Sequence, residues 1–152
     1  MQAVAPSFPP PPPLSRHPVD IGLRTEAIIA EALVRRGYTV LQPLGVNQRY
    51  DLVVDLGGTF VRIQCKTGRL VKGAIRFRVE SIRSNTRGAI RRGYAGEVDF
   101  FGVWCEAVGR AYLVPMADCP IGEGCLRVEP PRNGQGRRVR WARDYEIVSS
   151  PA

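Results

Sequence analysis

The sequence predicts a single α/β domain of the α+β type, with one amphipathic helix and a mainly antiparallel sheet of about five strands. Three observations give this prediction. The chain has 152 residues, enough for one domain with a hydrophobic core and too few for two of ordinary size. One apolar repeat at helical spacing comes first, and short segments follow in which apolar and polar residues alternate. Glycine-containing turns separate several of these segments, as in β-hairpins.

The helix is predicted in PVDIGLRTEAIIAEALVRRGYTV, residues 18–40. Asp20 can cap its N-terminus, and Gly37 can end it. The residues predicted to face the core are Leu23, Ala27, Ala30 and Val34, beside Ile28, Ile29 and Leu33.

The N-terminal segment contains a run of five prolines after one earlier proline. Such a run favours extended polyproline II structure and cannot bury a core. Residues 1–17 are therefore predicted to be a disordered tail, residues 18–148 the folded domain, and residues 149–152 a second disordered tail.

The predicted strands lie in YTVLQPL, YDLVVDL, TFVRIQCK, AIRFRV, VDFFGVWCEAV and AYLVPM. Gly57 and Gly58 form the turn between the second and third of these segments, and a Gly-Arg pair joins the last two. The segment SIRSNTRGAIRRGYAG, residues 81–96, is basic and interrupted by glycines, which predicts a loop or a short helix. RRVRWARDYEIV is predicted to add a short closing helix or strand.

The charge of the chain predicts an anionic partner. The formal net charge is +8 and the pI is about 9.9, which favours nucleic acid first and an acidic membrane surface second. Between residues 62 and 92 ten basic residues face one acid, Glu80, so this stretch has a net charge of +9. Besides Lys66, the basic residues predicted to contact DNA phosphates are Arg62, Arg69, Lys72, Arg76, Arg78, Arg83, Arg87, Arg91 and Arg92.

The composition also argues against several classes. No apolar run approaches the roughly 18 residues that a membrane span needs, and the N-terminus does not resemble a signal peptide, so we expect a cytoplasmic protein. The only histidine is His17, in the proline-rich tail, which argues against His-dependent nucleases, Ser-His-Asp hydrolases and His-rich zinc sites. The four cysteines form no CxxC pair, and buried free thiols are expected at Cys65 and Cys105.

Four polar residues are predicted to meet near one strand end. In TFVRIQCK, alternation directs Val61, Ile63 and Cys65 to one face and Arg62, Gln64 and Lys66 to the other. Antiparallel pairing around the glycine turn brings Asp51 opposite about residue 64. Glu26 lies at the edge of the buried helix face, where a carboxylate needs a partner. Two carboxylates and the polar residue two positions before the lysine can hold a magnesium ion, and with the lysine they can position a water against a phosphodiester.

At these residues the chain resembles the PD-(D/E)XK nucleases, closest to the group I intron homing endonuclease branch with a Q-x-K motif. The resemblance includes Glu26, GYTVLQPLGVNQRYDLVVD, RIQCKTG, RRGYAGEVDFFGVW, AYLVP and RDYEI, and covers most of residues 20–146. It implies a restriction-endonuclease-like fold, in which helices flank a mixed central sheet of about five strands.

The resemblance also implies roles for individual residues. Asp51, Glu26 and Gln64 become the metal ligands, with Gln64 in the place of the usual acidic residue, and Lys66 becomes the catalytic lysine. The backbone carbonyl of Cys65 is a further candidate ligand, and Mg²⁺ is the expected cofactor, with Mn²⁺ as a substitute. The expected activity is hydrolysis of double-stranded DNA by a homodimer or homotetramer.

Several alternatives stay open from the sequence. A catalytically inactive DNA-binding module would also have this fold, and a Holliday-junction-resolving nuclease would share both fold and chemistry. Without catalysis, Asp51 would cap a strand, Gln64 and Lys66 would belong to a solvated face, and Glu26 would pair with Arg24 or Arg35. Tyr94 and Asp99 match the family pattern and are interpreted as structural.

Overall fold

The computed structural model of the protein describes residues 8–134 and 136–148. The predicted tail residues 1–7 and 149–152 lie outside this part. The single long helix is α1, Pro18–Arg35. The strands are β1 (Thr39–Leu41), β2 (Leu52–Asp55), β3 (Phe60–Thr67), β4 (Arg69–Val71), β5 (Ala74–Arg78), β6 (Glu80–Asn85), β7 (Gly88–Gly93), β8 (Phe100–Cys105), β9 (Arg110–Pro115) and β10 (Glu123–Arg127). Short 3-10 turns occupy Met116–Asp118 and Ala142–Asp144.

A five-stranded mixed sheet forms the centre of the domain, in the order β1-β2-β3-β8-β9. All neighbours in it are antiparallel except β3 and β8, which run parallel. The predicted mixed sheet of about five strands is therefore confirmed. Helix α1 covers one face, whereas the other is covered by a three-stranded antiparallel sheet, β10-β5-β4, in place of a second long helix. Strands β6 and β7 pair only with each other.

Two hydrophobic cores lie on the two faces of the central sheet. The core under α1 contains Ile29 and Leu33 from the helix and Ile63 and Cys65 from β3. The core on the other face contains Phe77 from β5 and Phe101 and Val103 from β8, among others. The predicted alternation of β3 is confirmed, because Ile63 and Cys65 are buried while Gln64 and Lys66 are half-buried on the opposite side.

The start and the buried face of α1 differ from the prediction. The helix begins at Pro18 with His17 as N-cap, whose Nδ1 accepts a hydrogen bond from the Val19 N–H, and Asp20 lies inside the first turn. Proline is well suited to the first helical position because it lacks the N–H that would be unpaired there.

The buried stripe of α1 is Thr25, Ile29 and Leu33. Three of the residues predicted to face the core are exposed: Leu23 at 64%, Val34 at 58%, and Ala27. The apolar pattern misled because Thr25 satisfies its hydroxyl against Thr67 and can therefore be buried.

Residues 81–96 are not the predicted loop or short helix, because most of them form the β6–β7 hairpin. The turn is Thr86-Arg87. It is flanked by Asn85, whose Oδ1 accepts the N–H of Arg87, and by Gly88, whose φ is +124°. Asn and Gly here flank a tight turn between two strands, and the prediction took them as signs of irregular structure.

Other predictions from the sequence are met. The described part of the chain contains free thiols at all four cysteines, and Cys65 and Cys105 are buried. The C-terminal segment forms the 3-10 turn Ala142–Asp144 between two isolated β-bridges. Among the described residues, no helix is long and apolar enough to cross a membrane.

Close packing between α1 and β8 depends on the absence of a side chain at Gly102. A Cβ there would lie 2.9 Å from Ile29 Cγ2 and 3.2 Å from Ile63 Cγ2. Gly102→Ala is expected to destabilise the fold by about 1–3 kcal/mol, because the overpacked helix must shift away from the sheet. Urea unfolding measures this loss. Gly93→Ala, in a strand where a Cβ meets nothing within 4 Å, is the control, and an equal loss in both variants contradicts the packing argument.

Candidate active site

The four predicted site residues come from α1 and from one end of the neighbouring strands β2 and β3, which are inner strands of the central sheet. Glu26 lies on α1, Asp51 immediately precedes β2, and Gln64 and Lys66 lie on β3. In the antiparallel register Leu52 pairs with Ile63, so one step further Asp51 stands opposite Gln64, as predicted.

Asp51 is fixed by two hydrogen bonds to β3. Its backbone N–H donates to the carbonyl of Ile63 at 2.9 Å, and its Oδ2 accepts the N–H of Cys65 at 2.8 Å. The carboxylate therefore caps the end of the β2–β3 pairing, which is the structural role considered for Asp51 in the absence of catalysis. That hydrogen bond uses Oδ2, and no hydrogen bond within the described residues uses Oδ1.

Glu26 is positioned by its neighbour Thr25. The Oγ1 atoms of Thr25 and Thr67 are 2.7 Å apart, which ties this turn of α1 to the end of β3. The arginine partners considered for Glu26 are occupied elsewhere, since Arg35 pairs with Glu31 and Arg24 donates to the carbonyl of Ser15. The half-buried Glu26 carboxylate thus faces the site without either of these cations.

The two carboxylates oppose each other electrostatically. Burial raises the pKa of Glu26, and the charge of Asp51 raises it further. Burial also raises the pKa of Asp51, while the N–H of Cys65 and the charge of Lys66 act in the opposite direction. Both groups line an open groove of about 380 Å³. A cation bound between them would relieve this repulsion.

The donor set fits a hard divalent cation. Carboxylate oxygens of Asp51 and Glu26 and the amide oxygen of Gln64 are the ligand types that Mg²⁺ prefers. Among the described residues no three His, Cys, Asp or Glu side chains cluster as a metal site. The candidate ligands include only two residues of those four types, Asp51 and Glu26. The third candidate, the Gln64 amide, supplies one negative charge fewer than an acidic residue would.

Lys66 lies at the head of a second groove. Its Nζ donates a hydrogen bond to Tyr94 Oη at 3.0 Å. The groove, of about 500 Å³, is also lined by Arg69, Arg76 and Arg78. Arg76 and Arg78 are exposed on the same face of β5, and Arg69 is the cross-strand partner of Arg76. Four predicted basic residues are thus brought together beside the site.

The other predicted DNA-binding residues are placed elsewhere. Arg83, Arg87, Arg91 and Arg92 lie on or at the tip of the β6–β7 hairpin. Lys72 lines a separate open groove of about 610 Å³ with Arg127 and Arg132. Arg62 is held by Asp99, with Nε–Oδ2 and Nη2–Oδ1 distances of 3.2 Å.

The carboxylate of Asp99 also organises the backbone. Its Oδ2 accepts the N–H of Arg62 at 2.8 Å, directly before the parallel β3–β8 pairing starts. These contacts agree with the structural interpretation of Asp99, whose pKa is lowered mainly by the hydrogen bond from Arg62.

Sequence reasoning did not find Arg49 and Glu97. Arg49 Nε is 2.5 Å from Glu97 Oε2, and its guanidinium lies 4.2 Å from the centre of the Tyr94 ring. Both residues come from irregular segments, where no periodicity marks them. The signal available was that NQRYD and YAGEVDF lie inside the stretches on which the family resemblance rests.

A helix on a mixed sheet, with two carboxylates and a lysine at one end of β2 and β3, is the arrangement of the restriction-endonuclease-like fold. The profile of the PD-(D/E)XK endonuclease family matches residues 16–148, and the chain belongs to this family. A solved structure similar to it is that of a bacterial homing endonuclease, I-Ssp6803I. The two share 27% sequence identity with a TM-score of 0.63, over 82% of this chain and 85% of that one. No curated protein matches the sequence.

The raised pKa of Asp51 predicts a pH-dependent stability difference. The folded state holds this proton more tightly than the unfolded state, so the contribution of Asp51 to the free energy of unfolding should fall as pH rises through the interval above about 4. Asp51→Asn removes this loss, and the variant should gain stability relative to wild type as pH rises. Urea unfolding with chelator, from pH 2.5 to 7, measures the difference.

Asp99→Asn is the control of opposite sign. Because the pKa of Asp99 is lowered, wild type should gain stability relative to this variant as pH rises toward about 4. The same trend with pH in both variants contradicts the assignment of the two environments.

Proposed function

We propose that the protein is a metal-dependent endonuclease that hydrolyses phosphodiester bonds in double-stranded DNA. The observation that supports this most directly is the placement of two mutually repelling carboxylates and Lys66 beside a groove lined by arginines. Membership of an endonuclease family supplies the reaction class.

The proposed cofactor is Mg²⁺, with Mn²⁺ able to replace it. Asp51, Glu26 and Gln64 would hold the ion. When bound, such a cation supplies positive charge beside the scissile phosphate and makes water a better nucleophile. Two hydrogen bonds to the backbone of β3 hold Asp51 in a defined position for this role.

Lys66 is the proposed catalytic lysine. Its ammonium group can stabilise charge that develops on the phosphate during hydrolysis. It lies on the same face of β3 as Gln64, two residues away, so one strand presents both the amide oxygen and the lysine to the DNA.

Double-stranded DNA is the proposed substrate because two basic surfaces, the groove at Lys66 and the β6–β7 hairpin, could each contact a part of a duplex. The arginines around the Lys66 groove lie where the backbone next to the cut would be held. The β6–β7 hairpin is a two-stranded ribbon, an element that fits the DNA major groove. The similarity to a homing endonuclease supports DNA as the substrate.

The proposed assembly is a homodimer or homotetramer in the cytoplasm. A symmetric pair of sites cuts both strands of a duplex more readily than a single site does. The chain provides one candidate site, so one copy would be available for each strand.

Removal of the site residues should abolish cleavage and spare binding. Asp51→Ala and Lys66→Ala are each expected to lower the rate at least about a hundredfold, because each removes a group that acts on the reacting phosphate. The substrates are supercoiled plasmid, a random-duplex library and a four-way junction, with magnesium or chelator, followed by sequencing of the ends. The expected ends are 3′-hydroxyl and 5′-phosphate.

The control is Arg110→Ala. Arg110 is a basic residue of β9 that pairs with Glu146. Loss of DNA binding in both site variants contradicts the proposal. Magnesium-independent binding without cleavage of any substrate would identify an inactive DNA-binding module, and preference for the junction would identify a resolving nuclease.

Arginines of the hairpin should contribute to affinity through phosphate contacts. The side chains of Arg83, Arg87 and Arg91 make no hydrogen bond or ion pair with the described residues, and all three are exposed. Each change to Ala should weaken DNA binding and reduce the slope of log K against log salt by about one. Titrations at several salt concentrations measure the slope, with Arg110→Ala as control. Unchanged slopes contradict the assignment.

Light scattering on the same complexes tests the assembly. We expect two or four copies of the chain on each duplex. One copy on each cleaved duplex contradicts the symmetric arrangement.

A further inference from the structure

A buried tyrosine hydroxyl contacts the amine of Lys66. We propose that Tyr94 is a positioning residue that holds the Lys66 ammonium group at the head of its groove, an inference that rests on the proposed role of Lys66. Within the described residues Tyr94 makes no hydrogen bond to either carboxylate and does not line the groove of Glu26 and Asp51, so it would act through the lysine.

The contact restrains an otherwise flexible side chain. Lysine loses much rotamer freedom when its amine is held in one place, so a position near the phosphate needs a fixed acceptor. Tyr94 Oη accepts from Lys66 Nζ at 3.0 Å, and the same nitrogen lies 4.7 Å from the ring centre. The phenol oxygen is therefore the group of Tyr94 that holds this cation.

Tyr94 is itself held rigidly. Its side chain is buried, with 5% of its surface exposed, and it follows the last residue of β7. The Phe101 ring stands edge-on to it, at 5.6 Å between centres and 83° between planes. Such tilted aromatic contacts are the favoured geometry for paired rings. The hydroxyl therefore has a defined position set by the core of the protein.

Arg49 packs over the same ring and ties it to the hairpin. All of its guanidinium nitrogens donate: Nε to Glu97 at 2.5 Å, Nη1 to Ser81 Oγ at 2.8 Å, and Nη2 to the carbonyl of Gly93 at 2.6 Å. These bonds hold Arg49 in place 4.2 Å from the ring centre. Each guanidinium nitrogen of Arg49 therefore has a partner within the protein, and Tyr94 is fixed from two sides, by Phe101 and by Arg49.

A phenylalanine would satisfy the core at this position as well as a tyrosine does. The hydroxyl adds the contact with Lys66, and that contact is what the positioning role predicts to matter. Tyr94→Phe removes the oxygen and keeps the ring, so the packing against Phe101 and Arg49 should persist. Tyr145→Phe is the matched control, because it removes a phenol that donates to Asp118 at 3.0 Å.

The first measurement needs no activity. The chain contains only two lysines, Lys66 and Lys72, so protein labelled at the lysine side chains gives two assignable NMR signals, which Lys66→Arg identifies. In Tyr94→Phe the Lys66 signal should shift while the Lys72 signal stays in place. In Tyr145→Phe both signals should stay in place. Thermal unfolding of each variant confirms that the fold is retained.

The second measurement is single-turnover cleavage of the DNA that the wild type cuts. Tyr94→Phe should lower the rate about tenfold or more, because a misplaced catalytic group loses much of its effect. The dissociation constant for DNA in chelator should not change. A structural role would change stability or affinity instead, so this split between rate and binding identifies positioning.

Each other result overturns a definite part of the inference. A Lys66 signal that is the same in Tyr94→Phe and wild type overturns the contact, whatever the rates. A shifted signal with an unchanged cleavage rate overturns the positioning role. If wild type cleaves no DNA, the positioning role fails with the proposed function, and a shifted Lys66 signal shows that the contact was not the part in error.

Discussion

The structure depends on the way two aspartates hold strand β3. Asp51 accepts the N–H of Cys65 from the β2 side, and Asp99 accepts the N–H of Arg62 from the β8 side. Because β3 is antiparallel to β2 and parallel to β8, these bonds fix the register at the point where the two kinds of pairing meet. Once β3 is fixed, its alternation directs Ile63 into the core under α1 and Lys66 to the other face.

At Asp51, the protonation state that burial favours and the one that function needs are different. Burial next to Glu26 disfavours the ionised form of Asp51, although that form is the one that binds a cation. The hydrogen bond from Cys65 and the charge of Lys66 offset this only in part, since the pKa of Asp51 is still raised. Sites of this kind commonly store such electrostatic strain, which a ligand then relieves.

The features that were predicted correctly are those that depend on the alternation of side chains along a strand and on the residues of a tight turn. Alternation in TFVRIQCK and the Gly57-Gly58 turn were enough to place Asp51 opposite Gln64. The buried face of α1 was predicted wrongly, because the hydroxyl pair of Thr25 and Thr67 joins residues 42 positions apart. Arg49 could not be found for the same reason, since its partners lie 32 to 48 positions away. Contacts of this range leave no period in the sequence.

The β6–β7 hairpin is joined to the domain at two buried residues, Val79 and Tyr94, which pack into the same core. Strands β6 and β7 form β-sheet hydrogen bonds only with each other, and the bonds from Arg49 reach them at their base, at Ser81 and Gly93, so the outer part of the hairpin can vary in length and sequence. Closing a longer loop costs little additional free energy. Evolution could therefore exchange this ribbon for another, and acquire a different target site, without rebuilding the sheet that holds the carboxylates.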